Sequence, residues 1–489
     1  MKKAENGITI VGLGPGDPAQ ITRQVWDWLL SIGEVYVRSE QHPTVAGLPG
    51  SVTVHSFDEY YQTCQHFAEV YERIVARVLE LGRRSQGVTY AVPGHPYVAE
   101  ATSPEIVRRA RQMGIPVRIL DGLSFLEPTF TALGIDPLPH LALVDALEVG
   151  QSHTPPFPPS APALIAQIYS RQVASELKLS LLAVYPDQHP VRLVHAAGTS
   201  QELIEDLRLY EIDRSAHTGL LTALYLPPLA PDTSFEAFQE VVAHLRAPDG
   251  CPWDREQTHQ SLRKYLLEEA YEALGALDAE NAAAMQEEFG DLLLQIVLHA
   301  QIASESGEFT MADVISGISR KLIRRHPHVF SDMQVDNVSA VLTNWERIKE
   351  AERKNNGDDL LIKGLLDGVP RALPALSQAQ ELQHRAARVG FDWPDISPVI
   401  AKVREELAEV LSAEYDPARA AELGDLLFAV VNLVRWYGAD AESALRQTNE
   451  RFRRRFGHIE EQARAVGRSL TDMSLEEMDV FWDQAKDLD

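Results

Sequence analysis

Hydrophobic and polar positions divide the chain into two regions with different periods. Residues 1–226 alternate short apolar runs, such as GITIVGLG and EVYVRS, with amphipathic runs such as AEVYERIVARVLELGRR. Alternation of strand-like and helix-like runs is typical of an α/β domain with a largely parallel sheet. Within it, PPFPPSAP (155–162) is predicted to be a loop, because proline cannot donate a hydrogen bond to a strand or a helix.

Beyond residue 226 the apolar positions recur at helical spacing almost throughout. LPPLAPDTS (226–234) predicts a linker, and the polar segment ERKNNGDDL (352–360) interrupts the helical pattern again. We therefore predict a multidomain chain. Its predicted parts are an α/β domain over 1–226, an all-α module over 227–352, a linker over 353–370 and a second all-α module over 371–489.

The two helical modules repeat the same motifs in the same order. EEAYEAL in the first pairs with EELAEVL in the second, EEFGDLLLQIV with AELGDLLFAVV, and SRKLIRRH with NERFRRRF. Each module therefore carries an ExxE pair, then an ExxD pair, then a basic run. Such internal similarity predicts two copies of one structural unit.

Four carboxylates of the first module are predicted to converge. Helix positions i and i+3 lie on one face, so Glu269 and Glu272 point the same way, as do Glu288 and Asp291 on the next helix. The 15 residues between Glu272 and Glu288 let the first helix end, turn and meet an antiparallel partner. Four carboxylates at the edge of apolar stripes repel one another, and partial burial raises the cost of ionising them.

A hard divalent cation resolves this repulsion. Mg²⁺ takes oxygen ligands, and carboxylates from facing helices of a bundle are a known way to build such a site. The competing interpretation is a solvated surface, which would suffice for a single ExxE pair on an exposed helix. Two pairs on paired helices, present twice in the chain, favour the metal site.

The basic runs point to a phosphate ligand. Lys321 and Arg325 lie at i and i+4 on one helix face, and Arg451 and Arg455 hold the corresponding positions of the second module. Arginine meets phosphate with two hydrogen bonds and lysine with a point charge. A basic run alone is usually a solvated face, but beside a carboxylate–metal cluster it favours a triphosphate. His326 and His328 are interpreted as capping or packing residues rather than as metal ligands.

Charge and composition narrow the class of partner. The formal net charge of −26 leaves no basic excess for a nucleic-acid polymer. The two cysteines, Cys64 and Cys251, form neither a disulfide framework nor a metal-ligand spacing. Apolar runs are too short for a signal peptide or a membrane span, so we expect a soluble, cytoplasmic protein that has no membrane partner.

The helical modules resemble the MazG-type nucleoside triphosphate pyrophosphohydrolases. The resemblance rests on RAPDGCPWDREQTHQSL (246–262), the ExxE and ExxD pairs, RRHPHVF and NWERIKEAE, which occur in that family's order. It covers the chain from about residue 235 to the C-terminus as two modules. It implies an all-α fold, usually dimeric, that hydrolyses a nucleoside triphosphate to the monophosphate and pyrophosphate with Mg²⁺.

The resemblance also implies roles for individual residues. The metal ligands would be Glu269, Glu272, Glu288 and Asp291 in the first module, and Glu406, Glu409, Glu422 and Asp425 in the second. Lys321, Arg325, Arg451 and Arg455 would contact phosphates, although the family often has lysine where Arg451 stands. Mg²⁺ would bridge the phosphates and acidify a water, and Glu268 or Glu405 would help to take its proton before attack on the α-phosphorus.

The GCPWD loop, which only the first module carries, leaves two interpretations open. Trp253 could stack on a base of the nucleotide. Alternatively, Trp253 is a core residue and Asp254 caps a helix.

The N-terminal region resembles the tetrapyrrole (corrin/porphyrin) methylases. GLGPGDP (12–18), YAVPGHPYVAEAT (90–102) and LDGLSFLEPTFTALGI (120–135) carry this resemblance over residues 1–226. It implies two α/β lobes that bind S-adenosylmethionine through Gly12, Gly14, Gly16, Gly94, His95, Gly122 and Ser124. His95 departs from the family, since many members have aspartate there. The order of the three parts resembles the YabN-type bacterial fusions.

Three functions follow from these patterns. The leading prediction is a Mg²⁺-dependent nucleoside triphosphate pyrophosphohydrolase that removes unwanted nucleotides, forms a homodimer through its helical modules and carries a methylase-like domain. One alternative is an S-adenosylmethionine-dependent methyltransferase with accessory helical modules. Another is a nucleotide sensor without turnover, which would not need two complete carboxylate sets.

Overall fold

The computed structural model of the chain describes residues 7–64, 66–331, 364–413 and 416–486, with the backbone alone at 416–418. It also describes the single positions 333, 337, 341, 344, 345, 347, 348 and 352. Contacts divide the chain into two compact units, Met1–His244 and Leu245–Asp489. Most of the predicted linker at 353–370 lies outside the described residues.

The first unit begins with a five-stranded parallel sheet. Its strands are β1 (Ile8–Gly12), β2 (Glu34–Val37), β3 (Thr53–Ser56), β4 (Val88–Val92) and β5 (Val117–Leu120), in the order β3-β2-β4-β1-β5. The central strands β1 and β4 are buried along their whole length, as expected of a parallel sheet covered on both faces. All four strand pairings are parallel, so the prediction of a parallel sheet holds here.

The second sheet of this unit is mixed. Its strands are β6 (Ala142–Asp145), β7 (Ala163–Ala166), β8 (Pro190–His195), β9 (Leu203–Arg208) and β10 (Thr222–Leu226), in the order β6-β7-β10-β8-β9. Only β6 and β7 are parallel, and the other three pairings are antiparallel. The expectation of a largely parallel sheet is therefore wrong for this lobe. Only residues 196–202 separate β8 from β9, too few for the crossover that parallel strands need.

Helices cover the sheets of the first unit. They are α1 (Arg23–Leu29), α2 (Asp58–Thr63), α3 (Phe67–Leu81), α4 (Thr102–Gln112), α5 (Leu126–Leu133), α6 (Ala146–Gln151) and α7 (Arg171–Leu181), with short 3₁₀ turns at Pro18–Gln20, Pro43–Gly47 and Leu209–Arg214. One core of the first lobe contains Ile10, Ile74 and Ile106, and a second contains Val11 and Val25. Successive residues of β1 thus point into different cores, which places a helical layer on each face of the sheet.

The described part of the second unit is helical. Its first module contains α8 (Phe235–Arg246, which begins in the first unit), α9 (Pro252–Glu256), α10 (His259–Asp278), α11 (Ala282–Glu305), α12 (Met311–Arg325) and α13 (Pro327–Phe330). Its second contains α14 (Ala375–Arg388), α15 (Ile396–Ser412), α16 (Asp416–Trp436), α17 (Ala441–Ala465) and α18 (Leu475–Lys486), with a 3₁₀ turn at Leu470–Asp472. The predicted fold class, an α/β region followed by all-α modules, is confirmed.

Local sequence explains the helical hairpins that repeat in this unit. Thr258 caps α10, because its hydroxyl accepts a hydrogen bond from the Ser261 amide at 3.1 Å. Asn281 caps α11 by accepting from the amides of Ala283 and Ala284. Only residues 279–281 separate the two helices, so the chain reverses and α11 lies against α10. The helices α15 and α16 pack in the same way.

Candidate active site

The first carboxylate cluster forms where α10 and α11 pack together. Glu269, Glu272 and Glu288 each offer a carboxylate oxygen, and these oxygens all lie within 4.8 Å of one another. Glu269 and Glu272 are one turn apart on α10, and Glu288 lies near the start of α11. The hairpin therefore brings together three of the four residues that the sequence predicts as ligands.

The second cluster repeats this arrangement on α15 and α16. Glu406, Glu409 and Glu422 also offer oxygens within 4.8 Å of one another. The side chain of Glu406 is only 7% exposed, and its Oε1 lies 2.8 Å from Nζ of Lys402. Its other oxygen, Oε2, is buried and has no hydrogen-bond partner in the described part of the chain. A buried carboxylate oxygen without a donor is a costly feature that a bound cation would relieve.

Loss of water contact, together with crowding of negative charge, raises carboxyl pKa values in both clusters. Loss of water contact, followed by repulsion from Asp291 and Glu272, raises the pKa of Glu269. Loss of water contact and then Glu272 raise the pKa of Glu288. The pKa of Glu409 is raised by loss of water contact and by Glu406, against the opposing effect of Lys402. These shifts have the direction expected of carboxyl groups that lose water contact and lie near other carboxylates, because both effects oppose ionisation.

The residues present fit a hard divalent cation. Each cluster offers only carboxylate oxygens, which Mg²⁺ and Mn²⁺ prefer to nitrogen or sulfur ligands. Oε2 of Glu406 is buried and has no hydrogen-bond partner in the described part of the chain, and the pKa values of Glu269 and Glu409 are raised. Both observations also favour a bound cation.

The predicted fourth ligands, Asp291 and Asp425, are not among the residues of these two groups. Asp291 lies one turn beyond Glu288 on α11 and is close enough to raise the pKa of Glu269. Asp425 holds the same place on α16 and is exposed. Their assignment as ligands stays a prediction.

The two predicted proton acceptors sit beside the clusters in different surroundings. Glu268 is exposed and contributes to the repulsion that raises the pKa of Glu269. Glu405 is also exposed, but its Oε1 accepts a hydrogen bond from Lys402 at 2.9 Å. Its role as a base stays a prediction, and so does that of Glu268.

The predicted phosphate-binding residues of the first module lie on α12. Lys321 is exposed. Arg325 is mostly buried and meets Glu352 through Nη2 at 2.6 Å and Nε at 3.2 Å, and Arg324 donates to the same carboxylate at 2.7 Å. Both arginines lower the pKa of Glu352. Arg325 is thus paired with the Glu352 carboxylate, a group whose shape and charge resemble part of a phosphate.

The corresponding residues of the second module lie on α17. Arg451 is exposed and donates to the Thr448 hydroxyl at 2.9 Å. The Arg455 guanidinium lies 5.6 Å from the ring centroid of Trp482 on α18, which also packs against Phe452. Trp482 was not selected from the sequence, although FWDQAK repeats the aromatic and acidic pattern of NWERIK.

The structure shows the surroundings of the GCPWD loop and of His326. Trp253 is 52% exposed, so it is not a core residue. Asp254 lies in the first turn of α9, which Cys251 precedes as N-cap, so Asp254 is not a helix cap. His326 ends α12 and its Nδ1 bonds the Leu322 carbonyl at 2.7 Å, which agrees with the predicted capping role.

In the first unit, three predicted cofactor-binding glycines meet at the carboxyl ends of β1, β4 and β5. A Cβ on Gly122 would lie 2.3 Å from the Gly94 carbonyl oxygen, and a Cβ on Gly12 would lie 2.5 Å from the same atom. Gly14 and Gly94 also exchange backbone hydrogen bonds, at 3.3 Å and 2.8 Å. Only glycine permits this approach of three loops, at the edge where ligands bind to parallel sheets.

The remaining predicted cofactor residues lie around these loops. Gly16 has a φ of +148°, and a Cβ there would lie 2.8 Å from the Thr199 side chain. His95 accepts the Tyr97 amide through Nδ1 at 3.1 Å, and its Nε2 lies 3.5 Å from Asp121. Ser124 is buried and donates to Glu127 at 2.6 Å. None of these contacts tests cofactor binding, which stays a prediction.

Comparison with known proteins finds family matches in two separate parts of the chain. The model for tetrapyrrole (corrin/porphyrin) methylases matches residues 7–213, and that for the MazG nucleotide pyrophosphohydrolase domain matches 257–330. The uncharacterized protein YabN of Bacillus subtilis (strain 168) is 44% identical over 489 residues, 98% of this chain and 98% of its own. This chain belongs to the YabN family. Its repeated helical hairpins and its glycine loops are therefore to be understood as parts of one YabN-type fusion.

Two further proteins resemble separate parts of this YabN-family chain. The nucleoside triphosphate pyrophosphohydrolase of Escherichia coli (strain K12) is 46% identical over 252 residues, 50% of this chain and 94% of that protein. A crystal structure of uroporphyrin-III-C-methyltransferase from Thermus thermophilus has 21% identity and a TM-score of 0.35, covering 46% of this chain and 92% of its own. No described helix of this chain is both long enough and apolar enough to span a bilayer.

Proposed function

We propose that this chain is a Mg²⁺-dependent nucleoside triphosphate pyrophosphohydrolase, which converts a nucleoside triphosphate and water to the monophosphate and pyrophosphate. The observation that carries the proposal is the pair of three-carboxylate clusters on repeated helical hairpins. The match of residues 257–330 to the MazG nucleotide pyrophosphohydrolase domain supports it. The 46% identity to the Escherichia coli pyrophosphohydrolase supports it as well.

Each group of residues has a distinct task in this proposal. Glu269, Glu272, Glu288 and Asp291 hold the metal in the first module, and Glu406, Glu409, Glu422 and Asp425 hold it in the second. Mg²⁺ supplies positive charge at the phosphates and lowers the pKa of water. Glu268 and Glu405 accept the proton of the attacking water, because both are exposed carboxylates next to a ligand.

Cationic side chains position the triphosphate. Lys321, Arg325, Arg451 and Arg455 contact its phosphates, and pyrophosphate leaves after water attacks the α-phosphorus. In the first module, Glu352 holds Arg325 in a fixed orientation before a nucleotide arrives. The substrate's anionic oxygens must compete with this carboxylate for the guanidinium.

Exposed apolar side chains support a homodimer through the helical modules. On α10 and α11 the exposed ones include Leu267, Leu277, Phe289 and Ile296, and on α15 and α16 they include Leu407, Leu411, Leu427 and Phe428. A helical hairpin whose apolar face is exposed buries that face when it packs against a second helical hairpin in a bundle. A second copy of the chain supplies such a pair. The role in nucleotide house-cleaning and the cytoplasmic location belong to the same proposal.

One observation favours a second function for the first unit. The backbones of Gly12, Gly94 and Gly122 approach one another closely at the carboxyl ends of the parallel strands. Nucleotide-like cofactors bind at such glycine-rich edges, where no side chain blocks the backbone. We propose S-adenosylmethionine as the ligand here, in agreement with the methylase family match over residues 7–213. Methyl transfer is the competing activity of the chain, and it requires an acceptor as well as the cofactor.

Product analysis separates these functions. The full-length protein is incubated with each nucleoside triphosphate and MgCl₂, with and without EDTA, and the nucleotides, pyrophosphate and orthophosphate are quantified. The proposal expects equal amounts of monophosphate and pyrophosphate, which EDTA abolishes. Diphosphate with orthophosphate would mean hydrolysis of a different bond. Binding of Mg²⁺ and nucleotide without any product would indicate a sensor.

A further inference from the structure

A pair of histidines links α10 to α11 well away from the carboxylates of the first module. Nδ1 of His259, the first residue of α10, lies 2.7 Å from Nδ1 of His299 on α11. His259 precedes Glu269 by ten residues and His299 follows Glu288 by eleven, so about 15 Å of helix separates the pair from the carboxylates. The pair therefore joins the two helices near the open end of the hairpin, far from its turn at 279–281.

The geometry of the pair is that of two rings that share one proton. The ring planes are only 3° apart, while the ring centroids lie 5.0 Å apart, much farther than the two nitrogens. The coplanar rings therefore meet nitrogen to nitrogen rather than face to face. In the neutral pair one Nδ1 carries a proton and donates it, and the other accepts it with its lone pair. Two nitrogens bound to one tetrahedral Zn²⁺ at about 2.0–2.1 Å would lie about 3.3 Å apart, so the spacing fits a proton better than a metal ion.

A second proton has no favourable place on this pair. If the shared hydrogen bond is kept, the added proton leaves both Nε2 atoms protonated. Nε2 of His299 is buried and has no hydrogen-bond partner in the described part of the chain, so an N–H group there would be unsatisfied. If that Nε2 stays unprotonated, both Nδ1 atoms carry hydrogen and two N–H groups oppose each other. Either arrangement weakens the contact between α10 and α11.

The surroundings of the pair do not compensate a charged imidazole. Burial, followed by His259, lowers the pKa of His299, and among the described residues no carboxylate contributes to the shift. Gln295, one turn before His299, is buried but neutral, and no hydrogen bond joins the two side chains. The charged side chains along the adjoining segments are Arg263 and Lys264 on α10, Glu305 on α11, Arg246 on α8 and Asp313 on α12.

Both carboxylates among these neighbours already have partners. Glu305 meets Arg246 at 2.7 Å, and Asp313 accepts from the Thr310 hydroxyl at 2.7 Å and from the Thr310 amide at 2.9 Å. Neither is therefore available to stabilise a protonated histidine pair.

We propose that His259 and His299 form an acid-sensitive lock on the first helical hairpin. At neutral pH the shared proton holds the start of α10 against α11. As the pH falls, a second proton weakens this contact and the open end of the hairpin loosens. The lock is a conformational device separate from the carboxylate cluster, and it does not depend on the proposed hydrolase function.

The sign of the pH dependence follows from proton binding. The folded pair binds an added proton less tightly than the unfolded chain does, because the pKa of His299 is lowered in the folded state. Its contribution to stability is therefore fully present above the pKa of the unfolded chain. This contribution is lost as the pH falls towards the lower pKa of the folded state.

Hydrogen–deuterium exchange of the full-length wild type tests the lock. Peptides covering 259–266 and 295–303 are followed by mass spectrometry from pH 7.5 to 5.5 in EDTA, and the rates are corrected for the intrinsic effect of pH. The second hairpin is an internal reference, because it carries Ile396 and Leu433 at the positions aligned with the two histidines. Protection of the first hairpin should fall severalfold more than protection of α15 and α16.

Replacement of the pair tests the cause. The double variant His259→Ile with His299→Leu takes the residues of the second hairpin at both positions, and it should remove the excess loss of protection at pH 5.5. The control is His384→Leu, which replaces an exposed histidine on α14 and should keep the response of the wild type. Circular dichroism shows whether each variant is folded.

Equal responses of the two hairpins in the wild type would overturn the inference, and so would an unchanged response in the folded double variant. Excess loss of protection in the first hairpin that the double variant abolishes supports it. If the double variant does not fold, the comparison of the two hairpins within the wild type decides. Metal and nucleotide are absent from these experiments, so failure of the lock is distinguishable from failure of the proposed hydrolase.

Discussion

Arg446 of the second helical module donates from Nε to Oδ2 of Asp278, the last residue of α10, at 2.7 Å. Each side chain is 24% exposed, and Arg446 also donates to the Ser443 hydroxyl at 3.2 Å. The pair joins α17, which carries the predicted phosphate-binding arginines, to the helix that carries Glu269 and Glu272. The pair therefore connects the two modules through α10 and α17, and both helices carry predicted site residues.

Breaking this pair should destabilise the helical unit. Arg446→Met and Asp278→Asn are each expected to lower the free energy of unfolding by about 1–2 kcal/mol, because a mostly buried partner loses its counter-charge. Calorimetry of the single and double variants measures the loss and the coupling between the residues. Arg453→Met is the matched control, since its pair with Glu450 is 3.4 Å long and exposed. Equal effects of Arg446→Met and Arg453→Met would contradict the expectation.

Neutralising a predicted ligand should stabilise the metal-free protein. The pKa of Glu269 is raised in the folded state, so the folded protein binds the proton of this carboxyl group more tightly than the unfolded chain does. The protonated group therefore stabilises the fold below the pKa of the unfolded chain, and this contribution is lost as the pH rises through the pKa of the folded state. At pH 7 the ionised group therefore opposes folding when no metal is bound. Glu269→Gln should raise Tm in EDTA at pH 7, and this rise should shrink as the pH is lowered towards 4.5.

Adding Mg²⁺ should reverse the comparison. Metal binds the folded wild type and raises its Tm, while Glu269→Gln has lost one ligand and should respond less. Glu308→Gln, at an exposed position that follows α11, should behave like the wild type under both conditions. A lower Tm for Glu269→Gln in EDTA would show that repulsion among the carboxylates is not significant.

The glycine contacts of the first unit predict a sharp difference between two substitutions. Gly122→Ala should lower the stability of this unit by about 1–3 kcal/mol and abolish S-adenosylmethionine binding, since its Cβ would meet the Gly94 and Gly12 backbones. Gly33→Ala should change neither, because no atom lies within 4 Å of its Cβ. Titration calorimetry and thermal unfolding of both variants measure the difference. Unchanged cofactor binding by Gly122→Ala would place the ligand elsewhere.

Some features of the molecule follow from the sequence because they depend on local spacing. The ExxE and ExxD pairs lie on helices whose periodicity is evident, and a connection as short as 279–281 forces those helices together. The convergence of Glu269, Glu272 and Glu288 is therefore a consequence of helix geometry. The parallel sheet of the first lobe likewise follows from strands that alternate with helices.

Other features depend on contacts between distant residues, which periodicity does not specify. The antiparallel pairing of β8 with β9 depends on how the second lobe folds back, which the residue pattern of either strand alone does not specify. Arg325 is nearly 30 positions from Glu352, so a basic run cannot indicate that one of its members already has a carboxylate partner. Lys402 could have been selected from the sequence, because alignment of the two repeats pairs it with Tyr265.

Pyrophosphate release by cluster variants tests the central claim most directly. Wild type, Glu288→Gln, Glu422→Gln and the double variant are compared with saturating nucleoside triphosphate and MgCl₂, after circular dichroism has shown that each is folded. If the carboxylate clusters carry hydrolysis, the double variant should release no monophosphate or pyrophosphate above the EDTA-treated background. Undiminished release of both products by the folded double variant would contradict the account.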